Sequence, residues 1–450
     1  MNHPLKSLFA LTLLAAPAAH AQVIFDTIAL EGEVAPGTGG ATYVGSFTSP
    51  TVNASGAVAF EALLAGGTNP TSNFGVYTVS PGGTQLLIRS GDAIPGTSLT
   101  FGDVDGSVII NADGEVAFGS SSAVLTADAL GILTTVAFFR QTAPGVPELS
   151  PGVVESFQGL RDVSFNNAGQ VSFSATTFNS FNNDFLYRTT PSGVLELAAQ
   201  RNQSPPSGGL FASFEESDIA DNGLIVFEGF VNSPPSGVGQ QSLHTVDPSG
   251  VFETVIIEDV TAAPPEFGGN TFNNLGEPEF DAAGNIFFDG SVAFGGGVDG
   301  SNNEGLFVLD TAGNVTTLLR EGTPVPGGIG TFDDPDNQTI SDDGRFATVT
   351  EVKTPGLSDR EALFVGSVNG ISTPILLEGE LFEVAPGDFR TIDDIDLITG
   401  GFAGDFIAVD LSFRDASNVT TNAIVLVTIP EPASVALLGL GGLTLLRRRR

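Results

Sequence analysis

The sequence predicts an all-β protein, a seven-bladed β-propeller of four-stranded antiparallel blades whose last blade is closed by the N-terminal strand. Three observations carry this: a turn-and-strand motif that recurs seven times, a second hairpin signal downstream of it, and chain ends that are out of phase by one strand. The alternative arrangement of the same strands is an open β-solenoid.

The motif is clearest in Asn53-Ala-Ser-Gly56-Ala-Val58-Ala-Phe60, Asn111-Ala-Asp-Gly114-Glu-Val116-Ala-Phe118 and Asn166-Asn-Ala-Gly169-Gln-Val171-Ser-Phe173. Looser copies surround Gly223, Gly284 and Gly344, and a degraded one surrounds Gly404 and Phe406. Successive glycines of the set are 54 to 61 residues apart. Such a period marks a repeat architecture, whatever the length alone would suggest.

Each copy has a physical reading. Asn or Asp caps a tight turn, and Gly takes the positive φ that side-chain-bearing residues resist. Val-x-Phe then alternates with period two, so both large side chains share one face of a strand. The second hairpin appears as Tyr77-Thr-Val-Ser-Pro-Gly-Gly, His244-Thr-Val-Asp-Pro-Ser-Gly250 and Phe307-Val-Leu-Asp-Thr-Ala-Gly313. It leads into a further strand such as Val315 to Arg320 and a Pro-Gly loop such as Pro326-Gly327. Four strands in a meander make one blade.

Residues Val23 to Gly37 match a fourth strand and its loop, with no first three strands before them, and the last repeat stops after its third strand, Asn422 to Val427. Pairing Val23 to Leu30 with Ile424 to Val427 supplies the missing strand and removes both sheet edges.

The ends read as export signals. Lys6, the apolar run Leu8 to Ala16 and the small-x-small Ala19-His20-Ala21 form a signal peptide cut before Gln22 by signal peptidase. The chain thus divides into a signal peptide at 1–21, the propeller at 22–429 and a tail at 430–450. In the tail, Ala433 to Leu446 would rise about 21 Å as a helix against a hydrocarbon core of roughly 30 Å, a marginal span of the inner membrane. Arg447, Arg448, Arg449 and Arg450 would hold its end on the cytoplasmic side. Pro430 and Pro432 keep Glu431 outside any regular helix.

Pro430-Glu431-Pro432, an apolar stretch and an arginine cluster, in that order, resemble the PEP-CTERM sorting signal of Gram-negative bacteria. The resemblance implies recognition by a membrane-embedded exosortase and processing near the Pro-Glu-Pro. An anchor helix that nothing recognises is the plainer alternative. The repeats themselves resemble the tandem Asn-x-x-Gly-x-x-Ala-Phe repeat of bacterial surface proteins with interchangeable C-terminal anchors, although the sixth copy has Thr348 where Phe belongs. That resemblance implies an exported, surface-attached, propeller-like protein.

Composition narrows the chemistry. The chain has no cysteine, so neither disulfides nor thiol catalysis apply. A net charge of −36 argues against nucleic acid as a partner. His3 and His20 fall in the signal peptide, leaving His244 at the strand position of Tyr77 and Phe307, which reads as packing. A Ser-His-Asp triad would have to use it, and a zinc site of His and Cys has no ligands. Most Asp residues sit in the turns, and the absence of Trp with only three Tyr weakens sugar recognition by stacking. Two acidic stretches offer alternate hard oxygens for calcium, Asp103-Val-Asp105-Gly106 and Asp333-Asp334-Pro-Asp336-Asn337, but neither completes the twelve-residue loop with its terminal Glu. The expectation is an exported cell-surface or extracellular-matrix protein with a non-catalytic structural or binding role, extracellular polysaccharide being a candidate partner. The alternatives are a carbohydrate-active enzyme using Asp/Glu and a ligand- or calcium-binding surface module.

Overall fold

The computed structural model describes residues 23–66, 74–146, 154–178, 184–232, 239–335 and 338–429. Phe25–Thr428 forms one compact unit. It is the expected ring of seven antiparallel sheets. Blade one comprises Thr42–Val52, Val58–Ala65, Phe74–Ser80 and Gly83–Arg89; blade two Val104–Ile110, Val116–Ser120, Ala123–Ala127 and Leu133–Phe138. Blade three comprises Phe157–Phe165, Val171–Thr177, Phe185–Thr189 and Leu195–Gln200; blade four Leu210–Ile219, Ile225–Asn232, Gly239–Val246 and Phe252–Ile257. Blade five comprises Phe272–Phe280, Ile286–Val292, Glu304–Leu309 and Val315–Arg320. In blade six the first strand splits into Thr331–Asp333 and Gln338–Ile340, which both pair with Phe346–Lys353. Its Arg360–Ser367 then pairs with two short pieces, Gly370–Ile371 and Leu376–Leu377.

Blade seven is stitched from both ends of the propeller. Asp388–Asp396, Phe406–Arg414 and Thr420–Thr428 are followed, on the outside, by Ile24–Leu30. Glu31 shows that this strand replaces an ordinary fourth strand. In blades four, five and six a Glu just past the fourth strand accepts a backbone N–H at the start of the third: Glu258 from Gln241 at 2.8 Å, Glu321 from Asn303 at 3.0 Å and Glu378 from Glu361 at 3.2 Å. Glu31 does the same for Asn422 at 3.2 Å, from the other end of the chain.

The alternating motif builds the blade cores. Val58 and Phe60 of the first copy are wholly buried, and so is Phe in the next two copies. In four blades that aromatic stacks on one from the third strand, Phe60 on Tyr77, Phe173 on Tyr187, Phe227 on His244 and Phe288 on Phe307, with ring centroids 5.4 to 5.6 Å apart. His244 therefore takes the packing position expected of it. Thr348 of the looser sixth copy sits opposite Phe364, and Phe364 meets Phe332 of the first strand edge-on, 5.1 Å away.

Candidate channel site

The first strands of successive blades contact one another in order and close on blade seven. One cavity of about 340 Å³ touches all of them, through Val52, Ile109, Ser164, Asp218, Glu279 and Ile340, with Thr399 from blade seven. It is the mouth of the central channel. A second cavity of about 240 Å³ shares Ile109, Ser164 and Thr399 with it.

The repeat turns ring the mouth. Gly56 and Gly114, at φ +77° and +80°, reverse the chain after the first strand in a conformation that side-chain-bearing residues resist. Asn53 Oδ1 accepts the N–H groups of Ser55 and Ala57, both at 3.1 Å, which is the expected cap. Its Nδ2 does something further and donates to the carbonyl of Asn111 in blade two at 3.0 Å. Asn111 Nδ2 reaches Asn166 O at 3.4 Å, and Asn166 Nδ2 reaches Ala220 O at 2.8 Å. The series stops at Ala220, which has no amide, and Asp281 cannot donate one. There Ala282 N bonds Asp342 O at 3.2 Å and Arg345 donates to Gly404 O at 2.6 Å.

Two residues before each turn, a second row of side chains ties the same blades together. Thr51 Oγ1 donates to Val108 O at 2.8 Å and accepts Ile110 N at 3.1 Å. Ser164 Oγ accepts Ile219 N at 3.2 Å, Asp218 accepts Phe280 N at 2.9 Å, and Glu279 Oε2 accepts Ile340 N at 3.1 Å. Thr339 Oγ1 accepts Gly400 N at 2.9 Å, and Gly400 O accepts Val52 N at 3.0 Å, returning to blade one, while blade two carries the apolar Ile109 at this position.

Deeper in the channel the first strands slip register, between Arg161 and Ser164, Phe214 and Ser217, and Gly276 and Glu279. The bulges place Asp162, Glu216 and Glu277 around the second cavity. Asp162 at φ 52° and Glu277 at φ 36° hold left-handed conformations that cost a non-glycine residue about 1 kcal/mol or more. Glu216 accepts Glu277 N at 3.2 Å. Burial first, and then the neighbouring acids, raise the pKa values of these carboxyls. Burial, followed by the Asp218 charge, lifts Glu279 well above the usual carboxylate range. Burial also lifts Asp218 and Glu216. Glu228, behind this sector, is pushed up to about 8 by burial and then by Glu216 and Glu215. Asp342 is raised by burial and by Asp221, and faces Asn167 of blade three at 3.5 Å.

The predicted calcium stretches fare differently from one another. Asp103 is exposed at the head of blade two, and the side chain of Asp105 lies outside the described residues. Asp333 and Asp334 lie at the split in the first strand of blade six, and Asp336 lies outside the described residues. Asp333 ion-pairs with Lys353, and its carboxylate gathers with those of Glu351 and Asp359 within 4.8 Å. Asp334 adopts φ 43°. His244 is fully buried, with Nδ1 3.1 Å from the Thr254 hydroxyl and its pKa lowered to about 4 by burial, so it has no access to a substrate. The cleavage residues Ala19, Ala21 and Gln22 and the tail residues Pro430, Glu431, Pro432 and Arg447 to Arg450 lie outside the described residues. Among the described residues no helix is long and apolar enough to cross a membrane.

The sequence alone does not single out the channel acids. Their signal was positional: Asp218 and Glu279 stand two residues before the turn, where other copies carry Thr51, Ser164 and Thr339. For the Asn ties, the signal was the choice of Asn over Asp in the first three copies.

A PEP-CTERM protein-sorting motif matches residues 428–450, which supports an exported, exosortase-sorted protein destined for the cell surface. No curated protein matches the sequence. Among solved structures, the chain is similar to a protein of unknown function from Dyadobacter fermentans, at 12% identity over 90% of this chain and 99% of that one, with a TM-score of 0.34. It is also similar to an acylaminoacyl peptidase of Pyrococcus horikoshii, at 12% identity over 85% of this chain and 50% of that one, with a TM-score of 0.45, so it spans half the length of that enzyme. Neither likeness bears on chemistry. The motif match is confined to the tail, whereas a second family model covers residues 25–436, and by that match the chain belongs to DUF7453, a family of unknown function.

Proposed function

We propose that this protein is a non-catalytic component of the cell surface or extracellular matrix, delivered by its sorting tail and acting through the propeller as a structural or binding unit. The observation that carries the reading is the use to which the channel side chains are put. Asp218 and Glu279, two acids of the mouth, each accept a backbone N–H of the next blade, the same task that Thr51, Ser164 and Thr339 perform without a carboxylate. In that row the acids hold blades together. The resemblance of the repeats to those of surface-attached tandem-repeat proteins supports this reading, and extracellular polysaccharide is the partner such a destination offers.

The competing reading, a carbohydrate-active enzyme, draws on Glu279 and Asp218 side by side with both pKa values raised by burial, since a raised carboxyl paired with a second one is what glycoside cleavage uses. The two readings separate in an activity screen of residues 22–429 against polysaccharides and esters. No turnover is expected. Turnover abolished by Asp218→Asn or Glu279→Gln, with the fold intact, would replace this reading by the enzymatic one. Delivery is tested apart from activity: changing Pro430, Glu431 and Pro432 to alanine should alter processing in cells that possess exosortase. Unchanged size and location of the variant would reduce the tail to a plain anchor.

A further inference from the structure

The channel sector spanned by blades three to six carries more acidic groups than its hydrogen bonds require. Asp218, Asp221, Glu279 and Asp342 line the mouth, and Asp162, Glu216 and Glu277 line the adjoining cavity. Neither cavity has a Lys, Arg or His among its lining residues. The neighbouring Arg161 is already ion-paired to Asp162 at 3.0 Å and to Asp184 at 2.9 Å.

Within this sector one oxygen stands out. Glu279 is only 5% exposed, and its Oε2 is fixed by the Ile340 amide, so the orientation of the carboxyl is set by the backbone of the next blade. Its Oε1 is buried without a partner of good hydrogen-bond geometry, although the Thr399 side chain stands close enough to lower the pKa of the carboxyl. A second orphan lies on the adjacent strand. Gln338 is 1% exposed, donates Nε2 to the Glu277 carbonyl at 3.1 Å and leaves its Oε1 without a partner. Buried acceptors left unpaired are costly, and two of them on facing strands in an acidic sector call for a positive ligand. All the donors are oxygens, the set that hard divalent ions take and that zinc sites with His or Cys do not.

We propose that the channel of this propeller binds a divalent cation of the calcium type between blades four and six, anchored on Glu279 Oε1 beside the Asp218 carboxylate. The ion would reinforce the inter-blade ties on the most acidic side of the ring. Calcium fits better than magnesium because it accepts irregular oxygen geometry, whereas magnesium demands a near-ideal octahedron. This assignment is separate from the rim group of Asp333, Glu351 and Asp359, where Lys353 already supplies positive charge.

The test is calcium binding to the chelator-treated protein, followed by isothermal titration and thermal unfolding. One site per channel is expected, with a rise in Tm of about 3 °C when calcium exceeds Kd a hundredfold. Glu279→Gln keeps an acceptor for the Ile340 amide and should weaken binding at least tenfold, and Asp218→Asn should weaken it in the same direction. Asp359→Asn, on the rim, should leave the affinity unchanged. A wild-type protein that binds no divalent ion overturns the proposal. So does binding that survives both channel substitutions, or that is lost in Asp359→Asn alone, which would assign the ion to the rim.

Discussion

The side-chain amide of Asn53 donates its hydrogen bond across a blade boundary to the backbone carbonyl of Asn111, the residue that occupies the same place in the next repeat, at 3.0 Å. One residue type thus does two tasks, capping its own turn through Oδ1 and holding its neighbour through Nδ2. This makes Asn and Asp inequivalent at a position where turn chemistry treats them alike.

Asn53→Asp should keep the cap and lose the tie. The cost expected is about 1 kcal/mol for the missing hydrogen bond, and about 2 kcal/mol for Asn53→Ala, which loses both. Urea unfolding of the two variants measures this, and an Asp variant as stable as the wild type would show that the inter-blade bond contributes nothing.

Ring closure predicts a strong asymmetry between the ends. Removing Val23 to Glu31 exposes the edge of Thr420–Thr428 and takes away the Glu31 carboxylate that accepts Asn422 N. The truncated protein should melt well below the full propeller and associate through its free edge, while trimming after Thr428 should do neither. Calorimetry and light scattering distinguish this from an open array, in which losing one strand would fray one end only.

His244 makes stability fall on acidification. Its pKa is lowered to about 4 in the folded state against an ordinary 6.5, so the unfolded chain binds the proton first. The stability it contributes is complete above pH 6.5 and is lost as pH falls toward 4, by up to about 3 kcal/mol. His244→Phe, which copies Phe307 of blade five, should flatten the pH dependence over that interval relative to the wild type. Parallel curves for the two proteins would refute the assignment.

Glu228 acts with the opposite sign. Its folded pKa is pushed up to about 8 from an ordinary 4.5, so its contribution is complete below pH 4.5 and is lost as pH rises toward 8. Glu228→Gln retains an oxygen for the Gln241 side-chain amide, which now bonds Oε1 at 2.9 Å. The variant should match the wild type near pH 4 and exceed it by about 2 to 4 kcal/mol at pH 8. Equal melting temperatures at pH 8 would rule this out.

By itself the sequence determined the blade count, the four-strand meander and the closure, because each rests on short-range signals: Gly at a positive φ in the turn of each repeat motif, period-two alternation in Val58 and Phe60, and a fourth-strand pattern at Val23 to Leu30 that lacked its partners. It also placed His244 in a core position, since the register of neighbouring copies put Tyr77 and Phe307 there. Only the tertiary structure decided what the channel contains. Asp162, Glu216, Asp218, Glu277 and Glu279 come from three different blades and meet only because the ring brings the first strands together, so no local pattern marks them as a group. The bulges that aim Asp162 and Glu277 inward are likewise invisible in composition, because a register slip is a relation between two strands and is settled by how the blade packs against its neighbours.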